Sequence, residues 1–529
     1  MMMKAFDPES PHVAIVGAGP VGLSMALGLA RQGIRTTLLE RKETTSSTSK
    51  APGIHVRTRE IFRQWQVEDR FMEAGELRQL VTLHSVEKGR RPLATLDFSF
   101  LNREADRPGL LILEQRETER LLLKAVMDST LCSIRFGAEV VGLEQNSTHV
   151  SLTYRRNGGE HRVEAPYVVG CDGASSFVRQ ALGLPFDGTT YTLRPMLADV
   201  RITDRRDNLP DPRVSAGGDD FAFAVRLRPG HWRLVHLSRT ESDRDEVSDE
   251  EVMGQLVHLL GSGPAEVTWA SRFRIHVRSS PRFRVGRVIL AGDAAHVHSP
   301  ASGFGMNGGI QDAHNLAWKL ASALSGGDAE RLLDSYDVER RAVVVEDTSR
   351  YTDRLTRIFI GSPSVVRRMA WLSVRLMQRI PHLRRRSLRR TSMIDLDYPS
   401  SPLLKSGDRA AGVRLPNACL ISPDGRFIRL YDILPAAPVL LDLAGDREGE
   451  SDLPIKEVIR IGDGGYVEAD GVLRDILGGE SGWILVRPDA HIAWARQNLD
   501  GIDEAVRLAL GWHPSFPIHG TICQQPRRT

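Results

Sequence analysis

Two textures of apolar and polar residues divide the chain. Over residues 13–182, short apolar runs alternate with stretches whose apolar positions recur every three or four residues, as strands alternate with helices. Val13-Ala14-Ile15-Val16 predicts a buried strand, and Val21, Met25, Gly28 and Leu29 then share a helical face that stops at Gly33. Residues 35–40 and 167–171 predict further strands; 60–66, 117–127 and 175–182 predict helices. From Pro185 to Phe283 apolar and polar residues alternate over 197–202, 221–227, 232–237 and 272–277, predicting the antiparallel strands of a separate sheet. A buried strand returns at 287–291, a long helix follows over 308–324, and helices continue to about Pro381. Beyond Met393 strands and turns resume. The pattern predicts an α/β fold: one domain over 1–185 and 284–392 with a helical end, an antiparallel-sheet domain inserted at 186–283, and a third domain over 393–529.

Residues 13–30 carry no charge and are long enough to pass for a membrane span, but Gly17, Gly19 and Pro20 interrupt them, which fits strand, turn and helix better. The remaining bulk properties are those of an ordinary globular chain. Its 529 residues suffice for three or four domains at about 150 residues each. Seventy Lys and Arg against 67 Asp and Glu leave a net charge of +3, so no basic field points to nucleic acid. Cys132, Cys171, Cys419 and Cys523 stand apart without a C-x-x-C, which favours a reducing, cytoplasmic setting. The first twelve residues lack the features of a secretory signal.

Three segments carry chemistry. In Gly17-Ala18-Gly19-Pro20-Val21-Gly22, Gly17 suits a tight turn, Gly19 the approach of a pyrophosphate, and Gly22 close packing of helix on strand. The helix that Pro20 opens presents free N–H groups to an anion. Glu40 ends the next strand 18 residues after Gly22, where its carboxylate can accept ribose hydroxyls, with Arg41 beside it. This predicts a Rossmann-like dinucleotide site; an acid at 40 disfavours a ribose 2′-phosphate and leaves NAD and FAD open. In the second segment, Asp172-Gly173-Ala174-Ser175-Ser176-Phe177-Val178-Arg179, an acid follows an apolar strand; alone it reads equally as a ligand site or as a helix start capped by Asp172 or Ser175. In the third, Gly292 and Asp293 end a strand and a small, Gly-rich loop runs through Pro300, Gly303, Gly305, Met306 and Asn307 into the long helix. Asp293 can accept a ribitol hydroxyl, and the loop N–H groups can stabilise a negatively charged reduced flavin.

Taken in this order, the three segments closely resemble the FAD-dependent aromatic hydroxylases, the single-component flavoprotein monooxygenases of the para-hydroxybenzoate and phenol hydroxylase type. The likeness runs over about residues 12–350 and includes Gln115, which matches the family's flavin-contacting glutamine. It implies FAD as cofactor, NAD(P)H as reductant, and Asp172 and Arg179 serving both nucleotides. It also implies a cycle in which a flavin hydroperoxide hydroxylates a phenolic or polycyclic aromatic substrate using molecular oxygen. Tyr398-Pro399-Ser400-Ser401-Pro402, Leu485-Val486-Arg487-Pro488-Asp489 and Ala493-Trp494 resemble the thioredoxin-like C-terminal domain of the larger members; without C-x-x-C its role would be structural, as in a homodimer contact. Two positions depart from the family: Lys50 stands where arginine is usual, losing the planar fork, and Ser302 precedes Gly303 where two glycines are usual.

The same scaffold is compatible with epoxidation or Baeyer–Villiger insertion, because the difference lies in substrate and pocket. A non-catalytic flavoprotein would need a lost flavin motif, and none is lost. Candidate substrate-side residues are Phe221, Phe223, Arg226, Trp232 and His236, with His55 as a further candidate base; alternating aromatics in a sheet are more often core. His296-Val297-His298 lacks further ligands at metal-site spacing, so no metal is expected. Residues 365–390 are rich in arginine with Trp371, Leu372, Leu376 and Ile380 interleaved. A solvated or subunit-contacting helix is the preferred reading there, and a membrane-associated quinone-pathway hydroxylase the alternative.

Overall fold

The structure is a computed structural model that describes residues 12–45, 52–87, 92–191, 194–215, 220–237, 246–299, 303–360, 362–405, 408–444, 455 and 457–511. The chain divides into two compact units, residues 1–315 with 340–396, and residues 316–339 with 397–529.

A six-stranded sheet lies at the centre of the first unit, in the spatial order Arg284–Val285, Val288–Leu290, Tyr167–Gly170, Val13–Val16, Thr36–Glu40, Cys132–Phe136. All neighbours are parallel except the first pair. Parallel strands covered on both faces need continuous apolar runs, which is why Val13–Val16 and Tyr167–Gly170 are buried throughout. The charge-free stretch after Val16 is likewise buried: in the helix Pro20–Arg31 every residue from Gly22 to Leu29 is inaccessible. Among the described residues, no helix is long and apolar enough to cross a membrane. Val16 lies opposite Gly170, and Gly170 opposite Leu290. The turns beginning at Gly17, Cys171 and Ala291 therefore leave one edge of the sheet side by side.

A seven-stranded sheet runs Glu266–Arg272, Met196–Arg201, His231–Leu237, Phe221–Arg228, Arg213–Ser215, Leu80–Ser85, Ala94–Asp97. Its last two strands come from outside residues 186–283, joined through the one parallel pairing, Arg213–Ser215 with Leu80–Ser85. The strand predicted over 272–277 is divided in the structure. Glu266–Arg272 ends in this sheet, and His276–Ser279 pairs with Asp187–Thr190 and His296–Val297 in another. Period-two alternation continues through the change of sheet, so the pattern does not mark it. The helix Asp249–Leu260 also interrupts the predicted run of strands; Ser248 caps it by accepting from the Glu251 N–H, and three acids occupy its first turn. It packs Val252, Leu256, Leu259 and Leu260 onto Ala198, Ala222, Ala224, Trp232 and Leu234.

In the second unit a mixed sheet runs Val458–Arg460, Val439–Asp442, Trp483–Val486, Ile492–Arg496, with the first pair parallel and the others antiparallel. Val439, Leu441, Ile484 and Val486 enter one apolar cluster, and Leu440, Trp483, Leu485 and Trp494 another, so both faces are covered. Four buried charges tie helix to sheet. Glu339 accepts from Lys319 Nζ at 2.6 Å and from Arg487 at 2.7 Å, and Arg487 reaches Asp489 at 2.5 Å. Trp318 Nε1 donates to Asp489 at 3.2 Å. Burial draws the Lys319 pKa down to about 8, because desolvation outweighs the attraction of Glu339.

Glu339→Gln would leave Lys319 and Arg487 buried without their shared counter-charge. It should cost roughly 3–5 kcal/mol, read as a lowered Tm of the transition that exposes Trp483 and Trp494. An unchanged transition would mean that the cluster is better solvated than its geometry indicates.

Candidate active site

At the first turn Gly17 has φ +100°, and a Cβ there would lie 2.5 Å from the Cys171 carbonyl oxygen; at Gly22 it would lie 2.0 Å from that of Gly17. Both positions are closed to any side chain. At Gly19, by contrast, a Cβ would meet nothing within 4 Å. That open backbone, beside a helix start with Pro20 at its head and no side-chain cap or acid in its first turn, fits a phosphate-bearing group. Glu40 holds the turn from the next strand, accepting from Ala18 N at 2.7 Å and from Lys42 N at 3.0 Å. Arg41 beside it is exposed, and Lys50 lies outside the described residues.

The second turn is shaped by its own residues. Asp172 accepts from Ser176 Oγ at 2.5 Å and from Val178 N at 3.0 Å, and burial raises its pKa. Ser176, not Ser175, caps the short helix by accepting from Arg179 N. The Arg179 guanidinium is buried, donating to the carbonyls of Ala174 at 2.8 Å and Ala294 at 3.0 Å, and lies 3.8 Å from the centre of the Phe186 ring. Arg179 thus braces the second turn against the third.

The third turn is held from below. Gly292 N donates to Asp312 at 2.9 Å, while Asp293, next in the turn, is exposed. Asp312 is fully buried and also takes His296 Nε2 at 2.7 Å and Arg340 Nε at 2.7 Å. Burial by itself would raise the Asp312 pKa; the charges and hydrogen bonds of His296 and Arg340 outweigh it and hold the carboxyl at about 2. His298, two residues on, is pushed down to about 3 by burial and by His296, and is neutral at ordinary pH.

The long helix observed at Phe304–Leu324 begins four residues before the expected start. A Cβ at Gly309 would lie 2.5 Å from Val21 and 3.2 Å from the Gly292 Cα, so this helix seats against the first and third turns together; at Gly305 it would meet nothing within 4 Å. Gly303 has φ +68°, so the glycine retained in the loop is one that needs the left-handed region; Pro300 and Ser302 lie outside the described residues. Met306 is buried. Asn307, also buried, donates to the Gly303 carbonyl at 2.9 Å and to the Gly53 carbonyl at 3.0 Å, and accepts from His55 N at 3.0 Å. The His55 ring lies edge-on to Phe304 at 5.2 Å, which brings this candidate base to the start of the long helix. Gln115, at the head of Gln115–Met127, donates to Glu119 at 2.8 Å.

The five candidate substrate-side residues of the sheet fall on opposite faces. Cross-strand pairing places Arg226 with Trp232 and Ala222 with His236 on the face covered by Asp249–Leu260. There Arg226 donates to the Asp207 carbonyl at 2.9 Å, and Trp232 to the Asp207 carboxylate at 3.0 Å. His236 lies 3.4 Å from Asp220, its pKa lowered by burial. Phe221 and Phe223 stand on the other face with Leu83, Val214 and Trp371. Aromatic contacts lead from this face back toward the third turn: Trp371 packs on Phe359 at 4.7 Å, Tyr351 on Phe304 at 6.2 Å, and Ser299 Oγ meets Thr356 Oγ1 at 2.5 Å. Tyr351 and Phe359 occupy a helical stretch that widens to π geometry at Ala342–Ser349 and Thr356–Ile360. No local pattern in the sequence links Tyr351 to Phe304 or Thr356 to Ser299, because these contacts span more than 40 positions.

Asp312→Asn should lower stability by roughly 3–5 kcal/mol, since His296 and Arg340 would keep their burial and lose the carboxylate. The carboxyl's folded pKa of about 2 lies below its ordinary 3.8. Its contribution is therefore complete above pH 4 and lost as pH falls through 2. Thermal melts of parent and variant should differ most near neutrality and converge in acid; parallel pH curves would remove Asp312 from this role.

Comparison with known proteins agrees with the geometry. Residues 10–350 match the family described as FAD binding domain, and residues 408–512 that described as aromatic-ring hydroxylase, C-terminal. The chain is 33% identical to an uncharacterized aromatic compound monooxygenase, YhjG, of Bacillus subtilis, over 94% of this chain and 95% of that one. It is also 33% identical to the 6-methylpretetramide 4-monooxygenase of Streptomyces rimosus, over 92% and 91% respectively. Among solved structures, the anhydrotetracycline hydroxylase OxyS of Streptomyces rimosus superposes with a TM-score of 0.80 at 30% identity, covering 95% of this chain and 99% of that one. The chain therefore belongs to the FAD-dependent aromatic-ring hydroxylases, a family of monooxygenases.

Proposed function

We propose that the chain hydroxylates a phenolic or polycyclic aromatic compound that lies between the third turn and the Phe221–Phe223 face of the large sheet. The observations that carry this reading are two aromatic pairs, Phe304 with Tyr351 and Phe359 with Trp371, and the apolar cluster on which Trp371, Phe221 and Phe223 all pack, which together offer apolar surface to a flat ring system. Full-length likeness to enzymes named for tetracycline precursors and, at 29% identity, for pentachlorophenol supports both ring classes. FAD, with NAD(P)H as reductant, supplies the activation of molecular oxygen.

The chain's own residues do the holding. The N–H groups after Gly19 take the pyrophosphate, Glu40 the adenosine ribose, Asp293 the ribitol, and the backbone from Gly303 to Asn307 the flavin ring, with Gln115 beside it. Arg179 acts indirectly by fixing the turns, since its buried guanidinium is committed to the Ala174 and Ala294 carbonyls, and Asp172 by closing its own helix start; Glu40 keeps lone pairs for the ribose beyond the two N–H groups it accepts. His55 is the candidate to move the phenol proton, because it alone of the proposed bases packs against the flavin loop. Arg226 and His236, on the helix-covered face, are not proposed for this role.

Three finer readings belong with the proposal. The large sheet serves as substrate domain, with Leu80–Ser85 and Ala94–Asp97 added to residues 186–283. The mixed C-terminal sheet is a thioredoxin-like domain with a structural role. Cys132, Cys171 and Cys419 stand as thiols, which suits a reducing cytoplasm.

The purified protein should be yellow, with FAD released by acid precipitation. Asp293→Ala should weaken FAD binding about 10- to 100-fold, the equivalent of the roughly 1.5–3 kcal/mol of a hydrogen bond to a charged group, with the fold retained by circular dichroism. Unchanged affinity would place the ribitol elsewhere. Aromatic substrate should accelerate NAD(P)H oxidation, with hydroxylated product and little oxygen returned on adding catalase. Oxygenation of non-aromatic ketones or alkenes alone would replace hydroxylation by Baeyer–Villiger or epoxidase chemistry.

A further inference from the structure

The helix Ser364–Met377 buries one side and leaves an unusual surface on the other. Arg367 and Trp371 face inward, Trp371 packing on the same Leu93 and Val214 cluster as Phe221 and Phe223. Outward stand Val365, Met369, Leu372 and Leu376, with Ile380 just beyond the helix end; all five are 41–67% exposed. At 100° per residue the first four fall within about 60° of one another around the axis, an unbroken apolar stripe. Arg368, Arg375 and Arg379 occupy the next sector on one side of it, and all three are exposed. Between residues 362 and 391 there are nine arginines and no Asp or Glu. Arg385 and Arg389 bond Glu104, and Arg390 bonds Asp347, so the charge nearer the stripe is the part turned outward.

A solvated helix shows its charges and hides its leucines; this one shows both, in adjoining sectors. The occupant must therefore accept an apolar face and supply negative charge along its margin. A second copy of the chain fails the second condition: an antiparallel two-fold contact would set this arginine row against its own image, and a parallel one would set it against the other margin of a segment without Asp or Glu. Anionic phospholipid meets both: the stripe sinks to the level of the acyl boundary while the long arginine side chains reach the phosphates. We infer that the outer face of Ser364–Met377 is a docking surface for an anionic lipid bilayer. The helix would lie in the interface and span nothing. The assignment rests on this surface and not on the proposed substrate, though it would set the element that covers Phe221 and Phe223 against the phase where polycyclic aromatics concentrate.

The test is co-sedimentation of the full-length, FAD-loaded protein with phosphatidylglycerol vesicles and, in parallel, with pure phosphatidylcholine vesicles. Binding to the anionic vesicles is expected at near-physiological salt, weaker by at least about tenfold with phosphatidylcholine and falling as salt is raised. Met369→Glu with Leu372→Glu, and separately Arg375→Gln with Arg379→Gln, should each lower the partition coefficient about tenfold or more while FAD content and circular dichroism stay at parent values. These exposed positions bind no flavin, so loss of docking and loss of oxygenation are separately readable. Equal binding to both lipids, no binding to either, or unaltered binding by both double variants would each overturn the assignment. So would a parent that remains in the supernatant while light scattering shows self-association abolished by Met369→Glu with Leu372→Glu; that surface would then belong to a second copy.

Discussion

The carboxylate of Asp312 is wholly shielded from solvent, and the turns around it depend on that fact. A buried carboxylate is costly unless donors surround it. Here they are the Gly292 N–H, the His296 ring and the Arg340 guanidinium, which come from the third turn, the strand after it and a helix 28 residues downstream. Satisfying one charge thus fixes the relative positions of three segments. Arg340 carries the constraint on by donating to the Gly308 carbonyl, where Gly309 meets Val21. The open backbone at Gly19 and Gly305 is rigid because its neighbours have no room to move.

Features encoded locally were legible in the sequence. Val13–Val16 and Tyr167–Gly170 are continuous apolar runs because both faces of a parallel sheet are covered, and glycines at 17 and 22 are required by backbone contacts near 2 Å. Features set by distant partners were not. The strands Leu80–Ser85 and Ala94–Asp97 were not predicted; Leu80–Ser85 joins the large sheet through Arg213–Ser215, more than 120 positions downstream. Arg226 and Phe223 belong to the same alternating strand, and alternation alone does not say which face the helix Asp249–Leu260 will cover. Asp172 and Arg179 were legible as a motif, and Ser176 and Val178, which donate to Asp172, lie within it; the Ala294 carbonyl that accepts from Arg179 is 115 positions away and follows from three-dimensional proximity. Asp312 was visible as a residue of the long helix; its pairing with Arg340 was not.

The large sheet divides its labour by face. One side is closed by Val252, Leu256 and Leu259 and gives the layer its stability. The other is left to aromatic side chains whose packing partners, Trp371 and Phe359, come from helices at the end of the first unit. Alternation of side chains makes this possible within single strands: Phe223 and Ala224 are neighbours in sequence and serve different purposes. Substitutions on the aromatic face can therefore reshape the lining without opening the core beneath.

The order of strands in the central sheet bears on how the chain is made. Tyr167–Gly170 lies between Val13–Val16, made before it, and Val288–Leu290, made after it. At about 5–20 residues per second, Val288–Leu290 leaves the ribosome roughly 6–25 s after Tyr167–Gly170. Throughout that interval the nascent chain carries an apolar strand with one hydrogen-bonding edge unpaired, the kind of edge that recruits strands from other chains. Arg340 is made later still, so Asp312 emerges before its arginine partner exists. Protection of this intermediate falls to whatever meets the nascent chain, before any flavin can bind.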